Sequence, residues 1–359
     1  MNTNSRRNKV NVVLKDHGLD ALVFFDQRNL RYHCGFTGSD GFLVISRGES
    51  LFMSDSRYTL QANEQVEADR IDEYRIKTDG LIEALRELGC SQIGFEANLA
   101  YGMVCELQNK GESDWCWRPL EKELSRLRLH KDAAEIDILQ RAAQLNAAAF
   151  SEIVESIVPG VVEREISLQL EYALKKGGAE EKSFDIIVAS GPRGALPHGV
   201  ASSKVLQRGE LVTIDFGGRV DGYHADETVT LGIGEVPIPL RKVYDVVLEA
   251  HDRAIAAVRP GVPLRELDNI ARAHIVASGY GENFGHGLGH GVGLDIHEEP
   301  RLSPRSDDLA EPGMVFTIEP GIYLPGVGGV RIEDMVQVTE GGCRVLTQLP
   351  KGYRCVAAG

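Results

Sequence analysis

Residues Phe284–Pro300 read FGHGLGHGVGLDIHEEP, with three histidines (His286, His290, His297) inside twelve positions and Glu298 and Glu299 directly behind. Glycine at this density excludes a stable helix, because each one costs ~1 kcal/mol relative to alanine there. It also lets backbone approach closely and take positive φ without strain. The histidines are therefore expected on a tight irregular loop or a short strand that faces something. Imidazole is the commonest metal ligand and is equally at home on a mobile surface loop. The meaning of the cluster thus depends on carboxylates elsewhere.

Two hairpin-like segments supply them. Glu210–Gly234 (ELVTIDFGGRVDGYHADETVTLGIG) places strand-like runs around Arg219–Gly222, which carries an Asp-Gly turn signal. If the loop centres between Val220 and Asp221, Asp215 lies opposite Asp226; a two-residue Asp221-Gly222 turn makes them diagonal neighbours. Either register puts both side chains on one face, with Cβ atoms roughly 5 to 7 Å apart. Buried like charges at that distance force one carboxyl to take a proton unless a cation lies between them. A solvent-facing pair is the alternative, and Leu211, Val212, Ile214 and Phe216 argue for an interior strand instead. In Met314–Val338, Glu319 and Glu333 face each other if the connecting loop centres on Gly326. Two aspartates, one glycine-bracketed histidine and two glutamates form an oxygen-rich set. It suits two adjacent dications such as Mn²⁺, Co²⁺ or Zn²⁺ better than one tetrahedral zinc.

The remainder of the chain bounds the setting. At 359 residues it exceeds the ~250–300 residues of a single core, so two domains are expected. A hydrophobic fraction of 43% and a charged fraction of 26% are ordinary for a globular protein. Net charge is −14 without a basic run, which argues against nucleic acid or an anionic membrane as partner. The first residues lack an apolar signal-like region, no stretch suits a membrane span, and six cysteines show no C-x-x-C spacing. A cytoplasmic location with reduced thiols is expected.

Short strands alternating with helical patterns predict an α/β domain over residues 1–126, closed by a strand at Trp115 and Trp117. Residues 127–359 form the second domain, the boundary falling near Ser125–Arg128. Asp132 and Glu135 have capping-box spacing ahead of a long helix that Pro159-Gly160 stops. PGVVEREI (Pro159–Ile166) aligns without gaps to PGVPLREL (Pro260–Leu267), and helical patterns flank both copies. A duplicated unit with a pseudo-two-fold crevice between its halves is predicted.

The segments TIDFGG, HADETVT, HGLGHGVGLDIHEEP, TIEPGIY and VRIED resemble, in order and spacing, the five metal-ligand motifs of the pita-bread metallopeptidases. That family includes methionine aminopeptidase, aminopeptidase P and prolidase. The likeness covers Leu127–Val338, and the preceding α/β domain is similar to that of the Xaa-Pro-cleaving branch and the creatinases. The resemblance implies an α/β N-terminal domain followed by an α+β pita-bread catalytic domain. It makes Asp215, Asp226, His290, Glu319 and Glu333 the ligands of two divalent ions, Mn²⁺ foremost, with Asp226 and Glu333 shared. His198 and His297 would contact substrate and developing charge, and Glu319 would carry a proton to the leaving nitrogen. His286 would line the substrate pocket, with Tyr323 and Arg331 standing behind the ligands. Val229 departs from the pattern, since many relatives carry arginine there, so hydrogen bonding around Asp226 is expected to differ.

The implied reaction is hydrolysis of an N-terminal Xaa-Pro bond by a metal-bridging hydroxide. GFTGSDG and DSRYTLQA look like bacterial aminopeptidase P-like proteins, so the leading expectation is a Xaa-Pro aminopeptidase acting on peptides with proline second. A Xaa-Pro dipeptidase is the alternative. A metal-free creatinase-like hydrolase and a non-catalytic binding module are disfavoured because all five ligands are retained. Relatives imply a homodimer.

Overall fold

The computed structural model describes residues 3–357. It divides into two compact units, Met1–Arg128 and Leu129–Gly359.

In the first unit six strands form one mixed sheet. Their order is Arg70–Glu73, Ser50–Ser54, Phe42–Ser46, Ala21–Phe24, Gln92–Glu96 and Cys116–Leu120. The apolar run at Ala21 becomes a central strand covered on both faces, with Leu22 and Phe24 in one core cluster and Ala21 and Val23 in the other. Burial on both sides is why that strand reads as continuously apolar. Among the described residues no helix is long and apolar enough to cross a membrane, and all six cysteines are free.

The second unit is built twice. In its first half α1 (Ala133–Ile153) and α2 (Glu163–Lys176) precede β1 (Ile187–Ser190), β2 (Leu211–Phe216) and β3 (Glu227–Ile233). In its second half α3 (Ile238–Ala257) and α4 (Leu264–Ala277) precede β4 (Gly289–Gly291), β5 (Glu298–Leu302), β6 (Val315–Ile318), β7 (Asp334–Thr339) and β8 (Gly342–Val345). The antiparallel trio β1-β2-β3 is matched by the antiparallel trio β4-β6-β7. β9 (Arg354–Val356) returns to pair in parallel with β3. The second helices of the two pairs, α2 and α4, both follow the repeated Pro-Gly segments, whereas α1 opens on the Asp132/Glu135 capping box and α3 on Pro237.

Side-chain alternation separates core from site. Val212, Ile214 and Phe216 of β2 and Val229, Leu231 and Ile233 of β3 enter the first half's apolar cluster with α1 and α2. Phe316, Ile318, Val336 and Val338 do the same with α3 and α4 in the second half. The intervening positions, Thr213, Asp215, Thr228, Thr230, Thr317 and Glu319, therefore point to the opposite faces.

Candidate metal centre

Both carboxylate pairs stand at equivalent places in the two halves. Asp215 lies four residues after Leu211, which opens β2, and Glu319 four residues after Val315, which opens β6. Asp226 and Glu333 each immediately precede a strand, β3 and β7 respectively. In the first hairpin Val220 pairs with Tyr223, so Asp221 and Gly222 form a two-residue turn with φ of 47° and 79°. That backbone is the one a tight I′ hairpin needs. Asp215 consequently pairs with Thr228, and Asp226 is its diagonal neighbour. In the second hairpin the pairs Ile318–Asp334 and Gly321–Arg331 share Gly326 as their centre, which sets Glu319 opposite Glu333.

The histidine segment closes the group. His290 sits on β4, a three-residue strand with a register shift after it. Its flanking glycines serve close approach, not positive φ: a Cβ on Gly289 would strike the carbonyl of Thr317, and one on Gly291 that of Glu299. Buried Asp268 anchors the approach to β4, accepting from the Leu288 amide and from Arg272. Arg272 in turn donates to the carbonyls of Phe284 and His286. As a result one ligand atom each from Asp226, His290 and Glu333 lies within 4.8 Å of the others. His290 Nε2 is 3.7 Å from Asp226 Oδ2 and 3.3 Å from Glu319 Oε1.

Arg331 holds the fifth residue in place. Its guanidinium donates to Asp215 Oδ2 at 2.6 Å, to Tyr323 Oη at 3.0 Å, to Thr228 Oγ1 at 3.2 Å and to the Pro197 carbonyl at 2.9 Å. Thr228 donates to Glu333 Oε2 at 2.6 Å. His286 Nε2 lies 2.9 Å from Tyr323 Oη, and the ring of His297 packs edge-on to His290 with centroids 4.3 Å apart. His198 and His297 are exposed, and His198 directly follows Pro197, whose carbonyl accepts from Arg331. All ten residues singled out from the sequence thus fall in one neighbourhood.

Electrostatics make that neighbourhood costly as it stands. Burial, then the charges of Glu333, Asp215 and Glu319, push the Asp226 carboxyl well above its ordinary range. Burial, then Glu319 and Asp215, do the same to Glu333, and burial foremost raises Glu319. Burial also lowers His290, favouring the neutral imidazole that a metal requires. Four carboxylates face one guanidinium, and Asp215 Oδ1 is buried without a hydrogen-bond partner among the described residues. A divalent cation fits this donor set: hard oxygens, one imidazole nitrogen and uncompensated negative charge.

Residues 137–340 match the family described as Metallopeptidase family M24, and residues 6–130 match the Creatinase/Prolidase N-terminal domain. The chain belongs to metallopeptidase family M24. It is therefore an enzyme of a metal-dependent hydrolase family, and its two units have the creatinase N-terminal and pita-bread folds. It is similar to the Xaa-Pro dipeptidase of Bacillus anthracis, 42% identical with a TM-score of 0.96 over 99% of this chain and 100% of that one. It is 38% identical to the Xaa-Pro dipeptidase of Pyrococcus horikoshii over 96% of this chain and 97% of the relative. An X-Pro aminopeptidase from Thermotoga maritima is 39% identical, with a TM-score of 0.89 over 94% and 98% of the two chains. Dipeptidases recur among these full-length relatives, so the alternative reading fits them better than the aminopeptidase reading that GFTGSDG suggested.

The Val229 side chain lies in the core with Phe150 and Phe216, on the face opposite Thr228. Sequence reading missed Arg301, one residue beyond the histidine segment, which pairs with His290 across β4 and β5 and acts on its charge.

A proton linkage follows. Asp226, Glu319 and Glu333 titrate above their ordinary values of 3.8 to 4.5 in the folded metal-free chain, so the fold binds protons that the unfolded chain has released. Their contribution to stability is complete below about pH 4 and is lost as pH rises through the raised values. Bound cations displace those protons. The gain in unfolding free energy on adding Mn²⁺ is therefore expected to grow from pH 5 to pH 7, by up to ~1.4 kcal/mol per pH unit for each proton displaced. Calorimetry finding no larger gain at pH 7 than at pH 5 contradicts this.

Proposed function

We propose that this protein is a Xaa-Pro dipeptidase that uses two divalent cations, Mn²⁺ by preference. Asp226 and Glu333 would be shared between the ions, Asp215 would complete one, and His290 with Glu319 the other. When bound, such ions supply Lewis acidity to a peptide carbonyl and acidify water in the site. The protein's own groups do the remaining work. His198 and His297, exposed beside the ligands, donate hydrogen bonds to the carbonyl oxygen as negative charge develops there. Glu319, whose carboxyl burial raises, carries a proton to the proline nitrogen as the bond breaks. That nitrogen has no N–H and its ring fixes φ, so positioning falls to side chains around the ring, with His286 and Tyr323 on one side.

A dipeptidase must also bind the proline carboxylate. Arg331 is already committed to Asp215, Tyr323, Thr228 and Pro197. Arg301 is exposed and is the cross-strand partner of His290; partners so paired share a face of the sheet. It supplies the cation. The observation that carries the dipeptidase reading is likeness over the whole chain, N-terminal unit included, to Xaa-Pro dipeptidases. The likeness to an X-Pro aminopeptidase favours the second reading, in which longer peptides are also cleaved.

Elemental analysis separates ligands from proton-handling residues. Asp226→Asn and Glu333→Ala are expected to empty both sites, and His290→Ala to lose metal. His198→Ala and His297→Ala are expected to keep it while kcat falls ~10²–10³-fold, as for loss of one oxyanion donor. Full metal content in Glu333→Ala refutes the assignment, as does metal loss in His297→Ala.

Substrate length is read by kinetics on Xaa-Pro against Xaa-Pro-Yaa. The dipeptide is expected to have the higher kcat/KM, and Arg301→Ala to raise its KM ~10–100-fold, the worth of a charge-assisted hydrogen bond of ~1.5–3 kcal/mol. The tripeptide should be little affected by that substitution. Comparable cleavage of both peptides by the wild-type protein makes it an aminopeptidase.

A further inference from the structure

Behind the two carboxylates that the ions would share lies a second set of buried charges. Glu227 follows Asp226 and Asp334 follows Glu333, so they too are equivalent residues of the two halves, opening β3 and β7. Successive strand residues face opposite ways, which turns Glu227 and Asp334 away from the ligand side. One ammonium joins them. Lys351 Nζ is 2.7 Å from Glu227 Oε1 and 3.2 Å from Asp334 Oδ1, and its side chain is 8% exposed. The Leu349 amide also donates to Glu227, the Thr347 hydroxyl donates to Asp334, and His251 Nε2 lies 3.1 Å from Asp334 Oδ2. Tyr244 Oη fixes the backbone by donating to the Lys351 carbonyl.

Lys351 belongs to neither copy of the duplicated strands. It comes from the segment between β8 and β9 that crosses from the second half's sheet to the first's. Repulsion between Asp226 and Glu333 tends to spread the starts of β3 and β7 before any cation arrives. An ammonium shared by their rear neighbours opposes that spreading. We propose that Lys351 is a positioning residue for the metal centre, tying Glu227 to Asp334 and so setting the separation of Asp226 and Glu333. The inference rests on the reading that those two carboxylates hold the ions.

Co²⁺ titration of the metal-free full-length protein, followed by its visible d–d absorption, tests this. Lys351→Met is expected to bind Co²⁺ ~10-fold or more weakly, the usual cost of losing an outer partner of a metal site, with altered band shape and intensity. If that chain does not fold, Glu227→Gln combined with Lys351→Met neutralises both members of the closer ion pair, leaves Asp334 to His251 and Thr347, and is expected to give the same change. Leu170→Ala, in the first half's core, is the control: lower Tm, wild-type affinity and wild-type spectrum. Wild-type affinity and bands in the Lys351 variants overturn the inference, as does an equal loss in Leu170→Ala. Asp226→Asn distinguishes the two levels. Co²⁺ retained there defeats the metal reading itself, whereas Co²⁺ lost there but bound normally by Lys351→Met defeats the positioning alone.

Discussion

Four carboxylates gathered around a single buried guanidinium are the constraint on which the catalytic unit turns. Asp215, Asp226, Glu319 and Glu333 come from two sheets, and Arg331 neutralises one of them. Isolated ionised groups are not buried at such density without a partner, because desolvation and mutual repulsion both oppose it. The folded chain tolerates the arrangement by raising three of the carboxyls, and divalent cations would resolve it. Much of the surrounding structure reads as bracing against that repulsion. Thr228 and Arg331 hold Glu333 and Asp215 from inside, and Asp268 and Arg272 pin the segment leading to His290.

Duplication gives this constraint its geometry. Each half presents one acid at the end of a strand and one immediately before the next, and antiparallel pairing brings them together. The helices of each half cover the outer face of its own trio, leaving threonines and carboxylates for the inner face. His290 breaks the symmetry. The first half places Ile187–Ser190 where the second places Gly289–Gly291, and only the second can let a strand run so close to its neighbours. A centre of two carboxylate pairs and one imidazole is the product of a repeated frame and one local exception.

Local chemistry explains what could be read from the sequence. Asp221-Gly222 signalled a two-residue turn, although the pattern alone left two registers open; the positive φ at both residues selects one. For the second hairpin the length of the connecting loop leaves the register open in the sequence, and the strand pairing selects Gly326 as its centre. The ungapped match of the repeated Pro-Gly segments marked equivalent helices. What escaped had a weak local signature or none. The helix Gln27–Cys34 is short and polar, and only its caps, Asp26 and Gly35, mark it in the sequence. Lys351 meets Glu227 across more than a hundred residues of chain. Arg301 acquires meaning only from its pairing with His290. The aminopeptidase expectation rested on motifs of the N-terminal unit, which say nothing about the ligands and little about what meets a proline carboxylate.

The central claim is that five residues of the second unit hold two divalent ions in common. Anomalous diffraction at the manganese edge, from crystals of the Mn²⁺-loaded protein, tests it most directly. The account predicts two peaks per chain, both ligated by Asp226 and Glu333, one also by Asp215 and the other by His290 and Glu319. A single peak, or peaks that leave Asp226 or Glu333 unbound, contradicts it.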